Sequence, residues 1–330
     1  MATAQGELER ISARYLRFAV DEARGESELY ERLALAIAAS RELLTFLAGL
    51  PADKRQPNLF LAVVRHLCGV PDSEDHLVEI VRREHGRIRT LMLSRTTQTN
   101  EPGRCSVLLP LLAQLPPPFA LLEVGASAGL CLIPDRYGYD YGAHRIEPAA
   151  SAGVEAPVFP CATRGAVPIP TRVPEIAWRV GLDLNPIDLR AAEGAAWLET
   201  LVWPGQEGRV ERLRAAIAVA RLDLPNIVRG NLLTDLERLM AAAPKDATLV
   251  VFHTAVLGYV ASQANRDRFA AIVRAADAFW ISNEAPVVFP SFAETAPPAP
   301  APGRFLLALN GKALAWTGAH GQSIDWFGSL

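Results

Sequence analysis

The spacing of apolar residues changes period once in this chain, near residue 119. Before that point apolar side chains recur at three- and four-residue intervals, the repeat of a helix with one buried face. After it, short runs rich in β-branched residues alternate with helical stretches, the pattern of a mostly parallel sheet covered by helices. The expectation is a helical domain over 1–117 joined to an α/β domain over 118–330.

In the first part, Leu8, Ile11, Tyr15 and Phe18 form one stripe. Leu29, Leu33 and Ile37 form another, continued by Leu43, Leu44 and Leu47. Helical spacing thus runs over 7–50. A proline-bounded connection (49–58) leads to a short apolar helix, Leu59 to Cys68. The helix over 73–93 starts after Ser73, a capping residue, and buries Leu77, Ile80, Ile88 and Leu91. Arg82, Arg83, Arg87, Arg89 and Arg95 surround its other faces. They read as a solvated face with Glu79–Arg83 support, or else as an anion- or RNA-facing surface. A polar run, Thr96 to Glu101, precedes a helix that starts at Pro102 and ends at three prolines. Its residues are caps and turn formers or the wall of a pocket; on the second reading Gln98 and Asn100 bind substrate.

In the second part, strands are expected at 119–125, 176–183, 247–254 and 278–284, with a short strand and turn at 226–233 and helices at 207–222, 235–243 and 263–276. A proline-rich loop comes next. Asn310-Gly311 between two apolar runs is the signature of a two-residue hairpin. The fold class is therefore α/β, with a Rossmann-like, mostly parallel sheet and a C-terminal antiparallel hairpin at its edge.

The net charge of −3 argues against a dominant electrostatic grip on nucleic acid or an anionic membrane. A small-molecule partner is expected rather than nucleic acid. The four cysteines show no CxxC pair, so reduced thiols are expected and no metal site. The first residues lack an apolar leader and no apolar run reaches about 18 residues, so a cytoplasmic location without membrane contact is expected. The oligomeric state has no sequence signature.

The segment "LLEVGASAGL" (121–130) is a strand entering a turn of small residues, and three chemistries use such a turn. As G-x-S-x-G it would present Ser127 as a hydrolase nucleophile, with Asp183 or Asp277 and His253 or His320 completing a triad. That fold needs strands and an oxyanion loop upstream, where this chain reads as helical. A nicotinamide site needs G-x-G-x-x-G and an acid about 20 residues on; the chain has Gly125-x-x-x-Gly129 and Asp183. An S-adenosylmethionine site needs small residues beneath the methionine moiety, an acid at the next strand end for the ribose hydroxyls, and a polar group after the third strand for adenine. Glu123, Gly125, Ala126, Ser127 and Gly129 fit the first, Asp183 with Leu184 the second, Asn231 with Leu232 the third.

From about 119 to 330 the chain resembles class I S-adenosylmethionine-dependent methyltransferases. Over its whole length it resembles the bacterial family known as domain of unknown function 2332, through "SRTTQTNEPGRC", "LLEVGASAGLCLIPDRYGYDYG", "RVGLDLNPIDL", "WLETLVWPGQEGRVERLRAAIAVAR" and "VVFHTAVLGYV". The resemblance implies a methyltransferase-like fold without assigning a substrate. Ser127 stands where many methyltransferases have a second glycine, and Asn231 where an aspartate is usual.

Ligands of such folds bind beyond the carboxyl ends of the strands. His253, at the end of "VVFHT", joins the cofactor set and is the catalytic candidate, as base or acceptor-orienting group; Tyr139 is the second. Arg136, Tyr141 and Glu284 join Gln98 and Asn100 as substrate-binding candidates. Tyr137, Tyr139 and Tyr141 form an acceptor wall or simple aromatic packing. Trp197 and Trp203 read as core and loop anchors rather than a cation cage. The expected function is methyl transfer from S-adenosylmethionine. The alternatives are a non-catalytic binding or regulatory protein on a degenerate scaffold and a serine hydrolase.

Overall fold

The computed structural model describes residues 4–148 and 153–329. The chain divides into two compact units: the segment through Thr99 with Ala195–Glu211, and Asn100–Gly194 with Arg212–Leu330. The division thus falls at 99/100 instead of 117/118, and a segment from the second half of the chain joins the helical unit.

The helical unit holds α1 (Ala4–Arg17), prolonged by a π-helical turn (Phe18–Ala23), then α2 (Glu28–Ala39), α3 (Arg41–Ala48), α4 (Pro57–Cys68) and α5 (Glu74–Ser94). Ser27, Ser40 and Ser73 end the preceding connections. Each side-chain oxygen accepts an N–H of the new helix: those of Tyr30, Leu43 and His76. These caps break the continuous helical spacing of 7–50 into three helices. The arginines of α5 are largely neutralised within the unit. Arg82 meets Glu42, and Arg83 and Arg87 meet Glu84, not Glu79. Trp197 is buried, donates Nε1–H to the Thr96 carbonyl and lies under Arg95; Trp203 packs on Phe18 and Tyr30. Both are anchors, as their surroundings in sequence suggest.

The α/β unit opens with α6 (Cys105–Leu112) and β1 (Phe119–Val124). An insert carries β2 (Gly138–Asp140), β3 (Arg145–Ile146), β4 (Val158–Pro160) and β5 (Ala162–Arg164). Then come β6 (Ile176–Asp183), α7 (Ala192–Leu201), which from Ala195 on belongs to the helical unit, α8 (Glu207–Leu222), which returns to the α/β unit after Glu211, β7 (Asn226–Arg229), α9 (Leu236–Ala241) and β8 (Thr248–Thr254). The chain ends with α10 (Gln263–Arg274), β9 (Phe279–Glu284), α11 (Pro290–Ala293), β10 (Phe305–Leu309), β11 (Lys312–Thr317) and β12 (Ser323–Trp326). The main sheet runs β5-β12-β11-β10-β9-β8-β1-β6-β7, and β3-β2-β4 form a small second sheet.

The strands β7, β6, β1, β8 and β9 are mutually parallel. In chain order they lie third, second, first, fourth and fifth. The direction of winding therefore reverses between β1 and β8, the switch point where open α/β sheets bind ligands. The β10–β11 hairpin is antiparallel as expected, but it is not the edge: β12 and then β5 extend the sheet beyond it. β1 is buried throughout, which is why its sequence is an almost unbroken apolar run.

Pairing register sorts the side chains by face. Leu122, Val124, Val180, Leu182, Val251 and Trp280 share one core with Leu236 and Leu239 of α9, Phe269 of α10 and Phe292 of α11. On the opposite face Leu121, Val250, Phe252 and Ile281 meet Leu108 and Leu112 of α6. Glu123 pairs in register with Phe252, so it points into the α6 side. Among the described residues no helix is long and apolar enough to cross a membrane.

The hairpin turn has positive φ at both loop residues, 51° at Asn310 and 87° at Gly311, as a type I′ turn requires. A Cβ at Gly311 would also meet Phe292 Cε1 at 3.2 Å. Gly311→Ala should lower unfolding free energy by about 1–2 kcal/mol, read as a lower urea midpoint with unchanged slope.

Candidate functional site

The turn after β1 is built by backbone. Gly125 N–H and Ala126 N–H both reach the Leu182 carbonyl of β6, at 2.8 and 3.3 Å, and Gly129 N–H closes on the Ala126 carbonyl at 2.7 Å. The Asn100 side-chain oxygen accepts the Leu130 N–H at 2.8 Å. Past Gly129 the chain enters a 3-10 turn (Leu130–Leu132) in place of a long helix. The long helix whose N-terminus commonly grips a pyrophosphate after such a turn is here replaced by that single 3-10 turn.

Asp183 serves the same turn. Its Oδ2 accepts the Ser127 N–H at 2.8 Å and its Oδ1 the Asn185 N–H at 2.7 Å. The carboxylate thus fixes the backbone of 125–129 and starts its own loop. Beside it, Leu184 is 68% exposed, a large apolar side chain left in solvent at a strand end. Asn231 is exposed and closes its own turn: Oδ1 accepts Leu233 N–H, and its N–H goes to Asp235 Oδ2. Leu232 packs half-buried against the core.

Glu123 is the anomaly. It is buried at the end of β1, and its Oε2 has no hydrogen-bond partner. Burial pushes its carboxyl well above the usual range; Cys131 and Asp183 add to the rise and Arg104 opposes it. An unsatisfied buried carboxyl oxygen costs about 1–3 kcal/mol or more. Proteins tolerate such a group where a ligand completes it.

Backbone strain flanks Glu123. Ser127 and Ala255, neither a glycine, have φ of 52° and 55°. They stand just past the carboxyl ends of β1 and β8, on the two sides of the switch point. Strain of this kind costs on the order of 1–3 kcal/mol per residue and gathers at functional sites. The loop after β8 also covers the turn. Gly125 has φ of 76°, and a Cβ built there would lie 2.2 Å from Val256 Cγ2. Val256 thus occupies the space directly above the first glycine.

Glu284 holds that loop in place. Its Oε1 accepts the N–H groups of Val256 and Leu257, at 2.9 and 3.1 Å, and is 2.8 Å from His253 Nδ1. His253 Nε2 accepts the Trp280 Nε1–H at 3.0 Å. An indole nitrogen only donates, so Nε2 is the bare nitrogen and Nδ1 carries the proton given to Glu284. His253 is fully buried on the face opposite Glu123, edge-on to Phe269 at 5.4 Å. Both ring nitrogens are occupied. His253, expected as a base or cofactor contact, is placed here with both nitrogens on protein groups: it positions Glu284, which positions the loop. Glu284 likewise holds protein backbone rather than lining an open substrate surface. The same geometry removes His253 as the base of a Ser127 triad.

The tyrosines are engaged by protein groups as well. Tyr139 and Tyr141 are buried, and their hydroxyls donate to the Pro134 and Ser106 carbonyls at 2.6 and 2.7 Å. Tyr137 does the same to the Leu130 carbonyl. Burial raises all three phenols. Tyr139, expected as the second catalytic candidate, and Tyr141, expected as a substrate contact, thus sit buried and tie the insert to α6. Arg136 is engaged by the Asp223 side chain and carbonyl. Gln98 belongs to the helical unit, where its Oε1 accepts from Thr96.

The structure therefore gathers Asn100, Glu123, Gly125, Ala126, Ser127, Gly129 and Asp183 into one constellation. Sequence reasoning missed Ala255, Val256 and Arg104. Arg104 is buried, its Nε donating to the Ala319 carbonyl and an Nη to that of Thr254 at the end of β8. An arginine leading straight into the apolar helix "CSVLLPLL" was the available signal. A separate open cavity of about 510 Å³ lies between the end of α6 and residues 168–175, at the amino ends of β1 and β6.

No curated protein and no solved structure matches this chain. A family model described as "uncharacterized protein conserved in bacteria (DUF2332)" matches residues 12–326. With nearly the full length matched, the chain belongs to that family.

Proposed function

We propose that this chain is an S-adenosylmethionine-dependent methyltransferase with a small-molecule acceptor, its donor site lying at the carboxyl ends of β1, β6 and β8. One observation carries the reading: the buried carboxyl of Glu123 at the switch point, whose Oε2 has no hydrogen-bond partner. An ammonium is the natural complement of such a group, because it donates hydrogen bonds and favours the ionised carboxyl. The methionine end of the donor supplies one, and its sulfonium supplies the methyl group. The small-residue turn, held by Asn100 and Asp183, shapes the floor; Leu184 offers an apolar surface at the end of β6. Methyl transfer asks of the protein mainly proximity and alignment. The loss of His253 as a base therefore leaves the reading intact.

A second reading has its own support. Val256 fills the space over Gly125, and Asp183 is tied to the backbone of the turn. A degenerate scaffold, kept for binding or regulation, would look the same. Calorimetric titration of the full chain with S-adenosylmethionine and S-adenosylhomocysteine separates the two. Binding to the wild type that disappears in Asp183→Ala is the expected result. Absence of binding heat with either compound favours the scaffold.

A further inference from the structure

We infer that Arg104 is the carboxylate-reading residue of the Glu123 site, so that the ligand it accepts is a complete α-amino acid zwitterion and not an amine alone. The inference rests on the proposed donor site only for the adenosyl half of the ligand.

Arg104 is itself buried, 5% exposed, and carries a permanent charge. Its hydrogen bonds, at 2.9 and 3.4 Å, go to two backbone carbonyls, and no carboxylate lies within ion-pair distance of it among the described residues. A guanidinium has five donors in a planar fork shaped for bidentate pairing with a carboxylate. Two of the five are used here. Buried charges of this kind are ordinarily paired.

Arg104 is tied to Thr254, two residues beyond Phe252, which stands opposite Glu123 in the sheet, yet Glu123 and Arg104 form no ion pair among the described residues. One group lacks a donor and the other lacks an anion. An α-amino acid presents both complements on adjacent atoms of one small fragment. Its ammonium would meet Glu123 and its carboxylate the free edge of Arg104. The two carbonyls that hold Arg104 belong to Thr254, at the end of β8, and Ala319, beyond β11. They fix the guanidinium at the same strand ends as the strained Ala255 turn. An amine without a carboxylate would leave Arg104 buried and uncompensated, so the site should discriminate between the two classes.

The test is calorimetry on the full chain with two matched pairs of probes. One pair is S-adenosylhomocysteine and its decarboxylated analogue. The other is L-methionine and 3-(methylthio)propylamine. The expected result is that each carboxylate-bearing member binds tighter than its partner by on the order of 10- to 100-fold, the worth of one or two charge-assisted hydrogen bonds. Arg104→Gln should abolish the difference while leaving the amine-only probes unchanged; the wild-type comparison stands even where that variant folds poorly. Equal affinity within both pairs, or no binding by any probe, overturns the inference. Discrimination between the methionine probes without binding of either nucleoside supports it and refutes the adenosyl donor reading.

Discussion

Glu123→Gln is expected to stabilise the protein relative to wild type at pH 8 far more than at pH 5, while weakening the proposed ligand by on the order of 10- to 100-fold. The folded carboxyl is raised by burial, chiefly through lost solvation. In the unfolded chain it ionises near pH 4.3 or so. The folded state therefore holds its proton more tightly than the unfolded state. Stability linked to that proton is fully present in acid and declines as pH rises from the unfolded value toward the folded one. A glutamine has no such proton, so its variant escapes the decline. The gap between the two proteins should widen by about 1.4 kcal/mol per pH unit across that window. Urea midpoints of both proteins at pH 5 and pH 8 read it directly. A variant destabilised equally at both values would mean that the carboxyl is satisfied inside the fold. A residue whose removal improves the fold and impairs binding is the expected mark of a functional site.

Trp280→Ala should cost about 3–5 kcal/mol, the largest single loss expected in the α/β unit. Trp280 is buried in β9, edge-on to Phe269, Phe289 and Phe292 at 5.9, 5.4 and 5.5 Å, with the Arg274 guanidinium 5.3 Å from its ring. Truncation leaves a cavity among side chains that cannot all collapse into it. It also removes the donor that fixes the His253 tautomer, leaving Nε2 as an unmet buried acceptor. Trp280→Phe separates the two effects, because it keeps most of the volume and loses only the donor. In that variant the His253 Nε2 shift, measured by NMR, should move to that of a ring nitrogen with no hydrogen-bond donor, while Nδ1 keeps its proton on Glu284. Protection of the Val256 and Leu257 amides from hydrogen exchange should fall with it, since Glu284 is aligned through His253. Unchanged protection would show that Glu284 holds the loop without the histidine.

Much of this architecture is legible in the sequence for identifiable reasons. β1 and β8 are buried on both faces, so they read as continuous apolar runs. Asn310-Gly311 announces its turn because few other pairs tolerate two positive φ values. The breaks at Ser27 and Ser40 were hidden, because apolar spacing continues across both caps. Residues 134–175 read in the sequence only as irregular or short-stranded, because two- and three-residue strands carry too few positions to show alternation.

The site divides along the same line. Glu123, the small-residue turn and Asp183 lie at ends of strands recognisable from their composition. His253 also lies at a strand end, but a one-residue difference in parity sends it to the other face. That parity depends on which residue of β8 stands opposite Glu123, a fact of pairing and not of local sequence. Arg104 and Val256 reach the site from a helix start and a loop, and only tertiary structure brings them there.

A crystal structure of the full chain with S-adenosylhomocysteine tests the proposed site most directly. The account predicts the ligand's amino group on Glu123, its sugar beside Asp183 and Leu184, and Val256 displaced from Gly125. A ligand seated elsewhere, or a saturated crystal in which Val256 still covers Gly125 and Glu123 still faces only protein, would contradict it.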